Sequence, residues 1–138
     1  METRDGCGLV VLDRAACLDL LGTPRVGTLA VTDKAMPVVL PVAYALDGEH
    51  LVMRVAPDSL LARAAARRVV AFCAYGGDLQ RFGSWSVAVT GIAEPVEGPS
   101  DPTYQPFGPV QGWSGEGRSD LWLRLSTERM TGRRLVPR

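Results

Sequence analysis

The residues best placed to do chemistry are Arg54, Asp58, Ser59 and Arg63. Arg54 closes an apolar, β-prone run. Asp58 or Ser59 is a good N-cap for a helix from Leu60 to about Arg68, with Arg63 one turn further in. A helix start offers free backbone N–H groups and the positive end of a dipole, and a guanidinium adds a forked donor. Together they could bind a phosphate-sized anion. A plainer role stays open, a cap beside solvated arginines, and spacing alone favours it because caps are common. Trp85, Ser86 and Val87 open a long strand and could meet a planar ring by packing and a hydrogen bond, as could Tyr44. Each also has an ordinary place in a core, where a Trp finds a partner for its N–H.

Other chemistries are poorly served. His50 is the only histidine, follows a turn and is expected in solvent, and no Gly-x-Ser-x-Gly elbow occurs. Three cysteines, Cys7, Cys17 and Cys73, lack metal-site spacing and read as reduced thiols, with Cys73 a small buried hydrophobe and Cys17 on a helix. There is neither a Walker loop nor a Gly-x-Gly-x-x-Gly. Fifteen basic residues balance 15 acidic ones, so no net field draws in nucleic acid or an anionic membrane. No apolar run is long enough to span a bilayer, and the start Met1-Glu2-Thr3-Arg4 lacks the pattern of a secretion signal. The expectation is one cytoplasmic domain over residues 1–138.

The element that must position these groups runs from Pro37 to Arg54. Two β-prone stretches flank Asp47-Gly48, the dipeptide that most readily takes the positive φ angles of a tight hairpin. The first stretch is apolar on both faces: Val38, Leu40, Val42 and Tyr44 on one, Val39, Ala43 and Ala45 on the other. A one-sided antiparallel strand would alternate with polar residues. This strand is therefore expected to face a barrel interior on one side and a helix, ligand or second chain on the other. Pro37 and Pro41 cannot donate to a ladder, which places part of it at an edge or bulge.

Around the hairpin, Asp13 can cap a helix from Arg14 to Leu21 that stops at Gly22. Arg25 to Thr32, Val69 to Tyr75, Trp85 to about Val96 and Leu121 to Leu125 read as strands, with Gly91 marking a bulge or close approach inside the longest. Residues 1–11 carry no strong signal. The stretch 97–120 is rich in Pro and Gly, with Tyr104, Phe107 and Trp113 interspersed, and reads as a functional loop. The tail 127–138 is short and basic. About six strands and two short helices without a βαβ period make a small antiparallel barrel the best fit.

Gly27-Thr28-Leu29-Ala30, Pro41-Val42-Ala43-Tyr44, Asp47-Gly48, Met53 to Ser59, Trp85 to Ala93 and Thr131-Gly132-Arg133-Arg134 follow one another in an order that resembles the pyridoxamine 5′-phosphate oxidase-like, flavin-binding split-barrel proteins, over about residues 9–135. The resemblance implies a mainly β, six-stranded antiparallel split β-barrel, usually a homodimer, with FMN between the subunits. Some relatives use the deazaflavin F420, and others bind haem or no known cofactor. By position, Arg54 and Ser59 would bind the cofactor phosphate, with Arg63 as a possible compensating cation. Pro41, Val42 and Tyr44 would lie along the ring, and Trp85, Ser86 and Val87 would contact the ring or ribityl chain. Arg133 and Arg134 match a C-terminal motif and are held as structural. The family often has Thr at position 55, Gly at 58 and Lys at 60, where this chain has Val55, Asp58 and Leu60. One charge-assisted hydrogen bond fewer to a phosphate costs about 1.5–3 kcal/mol of binding.

The functional expectation is a flavin- or deazaflavin-dependent oxidoreductase on an unidentified small-molecule substrate. Its alternative is a cofactor-free split barrel that binds a small ligand.

Overall fold

The computed structural model describes residues 3–22, 25–77, 84–97 and 121–135. Among them are ten strands: β1 (Thr3–Arg4), β2 (Val10–Leu12), β3 (Arg25–Asp33), β4 (Met36–Asp47), β5 (His50–Val55), β6 (Val69–Gly76), β7 (Trp85–Ile92), β8 (Glu94–Val96), β9 (Leu121–Ser126) and β10 (Met130–Arg134). Two helices accompany them, α1 (Arg14–Leu21) and α2 (Leu60–Ala65). All strands pair antiparallel, in the order β1-β2-β10-β7-β6-β3-β4-β5-β9-β8.

The six strands read from the sequence form the barrel, β7-β6-β3-β4-β5-β9, and β7 also lies against β9. A Cβ on Gly91 would meet Leu125 Cδ1 at 3.2 Å, so glycine permits that close approach. The core is built from alternate residues. Leu29, Tyr44, Leu51, Met53, Phe72, Val87, Leu123 and Leu125 are fully buried, and burying each such side chain contributes about 1.5–3 kcal/mol. Tyr44 and Phe72 meet edge to face, with ring centroids 4.8 Å apart.

Asp13 caps α1 as expected, its Oδ1 accepting from the Ala16 N–H at 2.8 Å. Cys17 and Leu21 turn inward, and α1 packs on β10 and β7. Gly48 turns the central hairpin at φ 63°. No helix is long and apolar enough to cross a membrane among the described residues.

Four expectations need correction. The run from Trp85 to Val96 is two strands: Ala93, fully buried and bridged to Ala66, bends the chain so that β8 pairs with β9 at the far end of the sheet. Helix α2 stops at Ala65 because Ala66 is extended (ψ 121°) and Arg67 is left-handed (φ 62°). The N-terminus and the tail both hold strands: β10 joins β7 to β2, and β1 adds to β2. Those segments have no local period, and their structure comes from long-range pairing. Cys73 is only half-buried, since it sits on the outer face of β6. Most of the 97–120 loop lies outside the described residues.

Candidate functional site

Strand β4 is paired on both sides only at Ala43 and Tyr44. From Met36 to Val42 its ladder partner is β3 alone, so Pro37 and Pro41 stand on a half-strand with one neighbour, where a missing N–H costs least. The chain leaves β5 at Val55 and turns through Ala56 to α2 beside that edge. The gap between them is an apolar cavity of about 210 Å³ lined by Leu40, Pro41, Val42, Arg54, Val55, Ala56, Ser59, Leu60 and Leu61.

At its rim the Ser59 hydroxyl is committed to the chain. It donates to the Ala56 carbonyl at 2.7 Å and accepts from the Ala62 N–H at 3.2 Å, which makes it the N-cap of α2. Arg54 is half-buried and, like the exposed Asp58, already takes part in an interaction within the chain. Val55 is buried and turned inward. None of the lining residues is His, Cys, Asp or Glu.

Of the residues singled out in the sequence, Pro41, Val42, Arg54 and Ser59 meet at this cavity. Arg63 is exposed in the last turn of α2 and does not line it. Tyr44 lies in the barrel core against Phe72, away from the cavity wall. Trp85 and Val87 also face inward, buried, while Ser86 between them faces out. Arg133 is structural: its Nε donates to Asp5 Oδ2 at 2.8 Å and ties β10 to the N-terminal strands. Leu40, Ala56 and Leu61 were missed as site residues. The alternation of β4, which puts Leu40 on the face of Val42, was the available signal for Leu40.

Next to the cavity is an uncharged outer surface. Strand register puts Val26 and Ala30 of β3, Val39 and Pro41 of β4, Val69, Ala71 and Tyr75 of β6, and Ile92 of β7 on one face. Val39, Val69 and Tyr75 are each more than 60% exposed. Burial raises the Cys73 thiol on this face above its ordinary range, so it stays protonated.

A second, polar cavity lies between Arg14, Glu49, His50, Ser126, Thr127 and Glu128. Arg14 donates there to the Thr127 carbonyl at 2.7 Å and to its Oγ1 at 2.9 Å. Thr127 Oγ1 in turn donates to the Glu49 carbonyl at 2.6 Å. The network reads as a clamp that holds α1 to the β5 and β9 ends. Among the described residues no group of His, Cys, Asp and Glu could hold a metal.

The sequence profile of the family described as pyridoxamine 5′-phosphate oxidase matches residues 13–134. Among curated proteins no match is found. Among the solved structures that share the fold are the following. A FAD-binding protein of Mycobacterium smegmatis is 24% identical over 92% of this chain and 98% of its own, with a TM-score of 0.69. A FAD-binding protein of Mesorhizobium loti is 20% identical over 92% and 98%, at 0.64. A FAD- and haem-binding protein of M. smegmatis is 19% identical over 88% and 70%, at 0.65. At these identities the likeness establishes the split-barrel fold alone.

Proposed function

Because the chain belongs to the pyridoxamine 5′-phosphate oxidase family, we propose that it is a flavin-dependent oxidoreductase of a small molecule, cytoplasmic and homodimeric, with FMN as its flavin and F420 as the alternative. The observation that carries this reading is the apolar cavity at the unpaired edge of β4, where Pro41, Val42, Arg54 and Ser59 converge. Structural neighbours described as FAD-binding support a flavin of some kind. A bound flavin would supply the hydride chemistry, and the chain would supply position and surroundings. With no carboxylate, thiol or imidazole among the lining residues, this cavity offers binding and water exclusion and no proton relay.

The cavity fits part of such a cofactor. Its roughly 210 Å³ suits a single ring, as cavities of about 150 Å³ hold benzene, whereas whole drug-sized ligands fill about 300–1,000 Å³. The remainder needs another wall. The uncharged outer face beside Pro41 is the natural place for a second copy, since exposed apolar patches of this kind mark interfaces. Ser86 faces out on the same side and would be offered to the partner's groove.

An absorbance spectrum of the purified protein, followed by titration with FMN and F420, tests the reading. A flavin band or a saturating titration is expected. Absence of both would retire the redox role in favour of a cofactor-free ligand-binding barrel, a reading that the committed Ser59 hydroxyl and the apolar Val55 and Leu60 favour. Light scattering at micromolar concentration should give a dimer; a monomer would remove the shared groove.

A further inference from the structure

A phosphate dianion needs several charge-assisted donors aimed at one point. Around this cavity they are scarce. The Ser59 hydroxyl spends its proton on Ala56 and takes up the Ala62 N–H. Val55, Leu60 and Leu61 present only methyl groups. Helix α2 has six residues, and its one basic side chain, Arg63, lies in the last turn and is exposed. Asp58, exposed and already engaged within the chain, puts a carboxylate one residue before the cap. Arg54 is the single cation of the lining, and it already has an interaction within the chain.

Resting on the flavin reading above, we infer that this chain holds a flavin by its ring system and ribityl chain and gains little from the terminal phosphate. Riboflavin is then as good a ligand as FMN. The apolar walls act on the ring, which the two molecules share. The phosphate by which they differ finds one guanidinium in the lining, already engaged, and no other charged donor there.

The test is a fluorescence titration of the full chain with riboflavin and with FMN, at low and at high salt. The expected result is two dissociation constants within about fivefold, with FMN binding no more salt-sensitive than riboflavin binding. FMN tighter by about 30-fold or more, and weakened selectively by salt, would overturn the inference while leaving the flavin reading intact. Binding of neither would overturn the flavin reading, and the inference with it. The variant Leu60→Lys puts a cation at the helix start and should raise the FMN-over-riboflavin preference about tenfold, with both ligands titrated against the same variant. Asp58→Asn, at an exposed position, should move the preference the same way by a smaller factor. No change of preference in either variant would mean that the phosphate lies elsewhere, against the inference.

Discussion

Replacing Gly132 with alanine tests how the two ends of the chain are joined. Gly132 lies on β10 opposite Leu12 of β2 and Val87 of β7. A Cβ built there would overlap the Cys17 sulfur and lie 3.2 Å from Leu12 Cβ. Cys17 is 1% exposed on α1, so its sulfur has nowhere to go. Overpacking of this kind costs about 1–3 kcal/mol. Cys17→Ala alone deletes one buried heavy atom and should cost about 0.5–1.5 kcal/mol, as Ile→Val does. In the double variant the new methyl takes the space the sulfur leaves, so the second substitution should add little. The expected coupling is about 1 kcal/mol or more, inside the range for touching residues. Urea denaturation at constant m measures it, and in a melt each kcal/mol is worth roughly 3–5 °C for a chain of this size. If the single costs simply add, to within about 0.5 kcal/mol, α1 does not rest on β10 through this contact.

The Asp5 carboxyl is held below its usual range by the Leu9 N–H, then by Arg133 and the Cys7 N–H. A lowered folded value means stability present above the unfolded pKa and lost as pH falls through the folded one. Acid weakening of the wild type should therefore begin as pH drops past about 4, and Asp5→Asn should flatten that limb in denaturation measured from pH 7 to 2. Thr127→Val keeps the shape but removes the hydroxyl that donates to Glu49 and accepts from Arg14, at a site with no exposure. It should cost about 1–3 kcal/mol in urea denaturation. Arg67→Gly should raise the melting temperature by the equivalent of about 0.5–1 kcal/mol: it relieves a left-handed arginine at φ 62° and gives back part of the gain as unfolded-chain entropy.

Most of the barrel was legible because its signals are local. Asp47-Gly48 set the central turn, Asp13 and Gly22 bounded α1, and the apolar face of β4 that carries Val42 and Tyr44 is buried in the barrel, while Val39 on the other face is exposed. Pro37 and Pro41 marked the half-strand with one neighbour, and the cavity opens there. What stayed hidden depends on distant partners. The residues Met130–Arg134 have no period, and only pairing with β7 and β2 makes them a strand. Ala93 looks like any strand residue until its contact with Ala66 bends the chain. In the site, residue types and spacing could group Arg54 with Ser59, and the family resemblance set Pro41 and Val42 beside them. They could not show which way Tyr44 and Trp85 turn, since an aromatic ring suits a core and a ligand equally.

The most direct test of the central claim is an amide chemical-shift map of the protein on adding FMN. Shifts clustered at Leu40 and Val42, Arg54 to Ala56, and Ser59 to Leu61 would place the flavin in the cavity beside the open edge of β4. Saturable shifts confined to the Arg14, Glu49 and Thr127 cavity would contradict it.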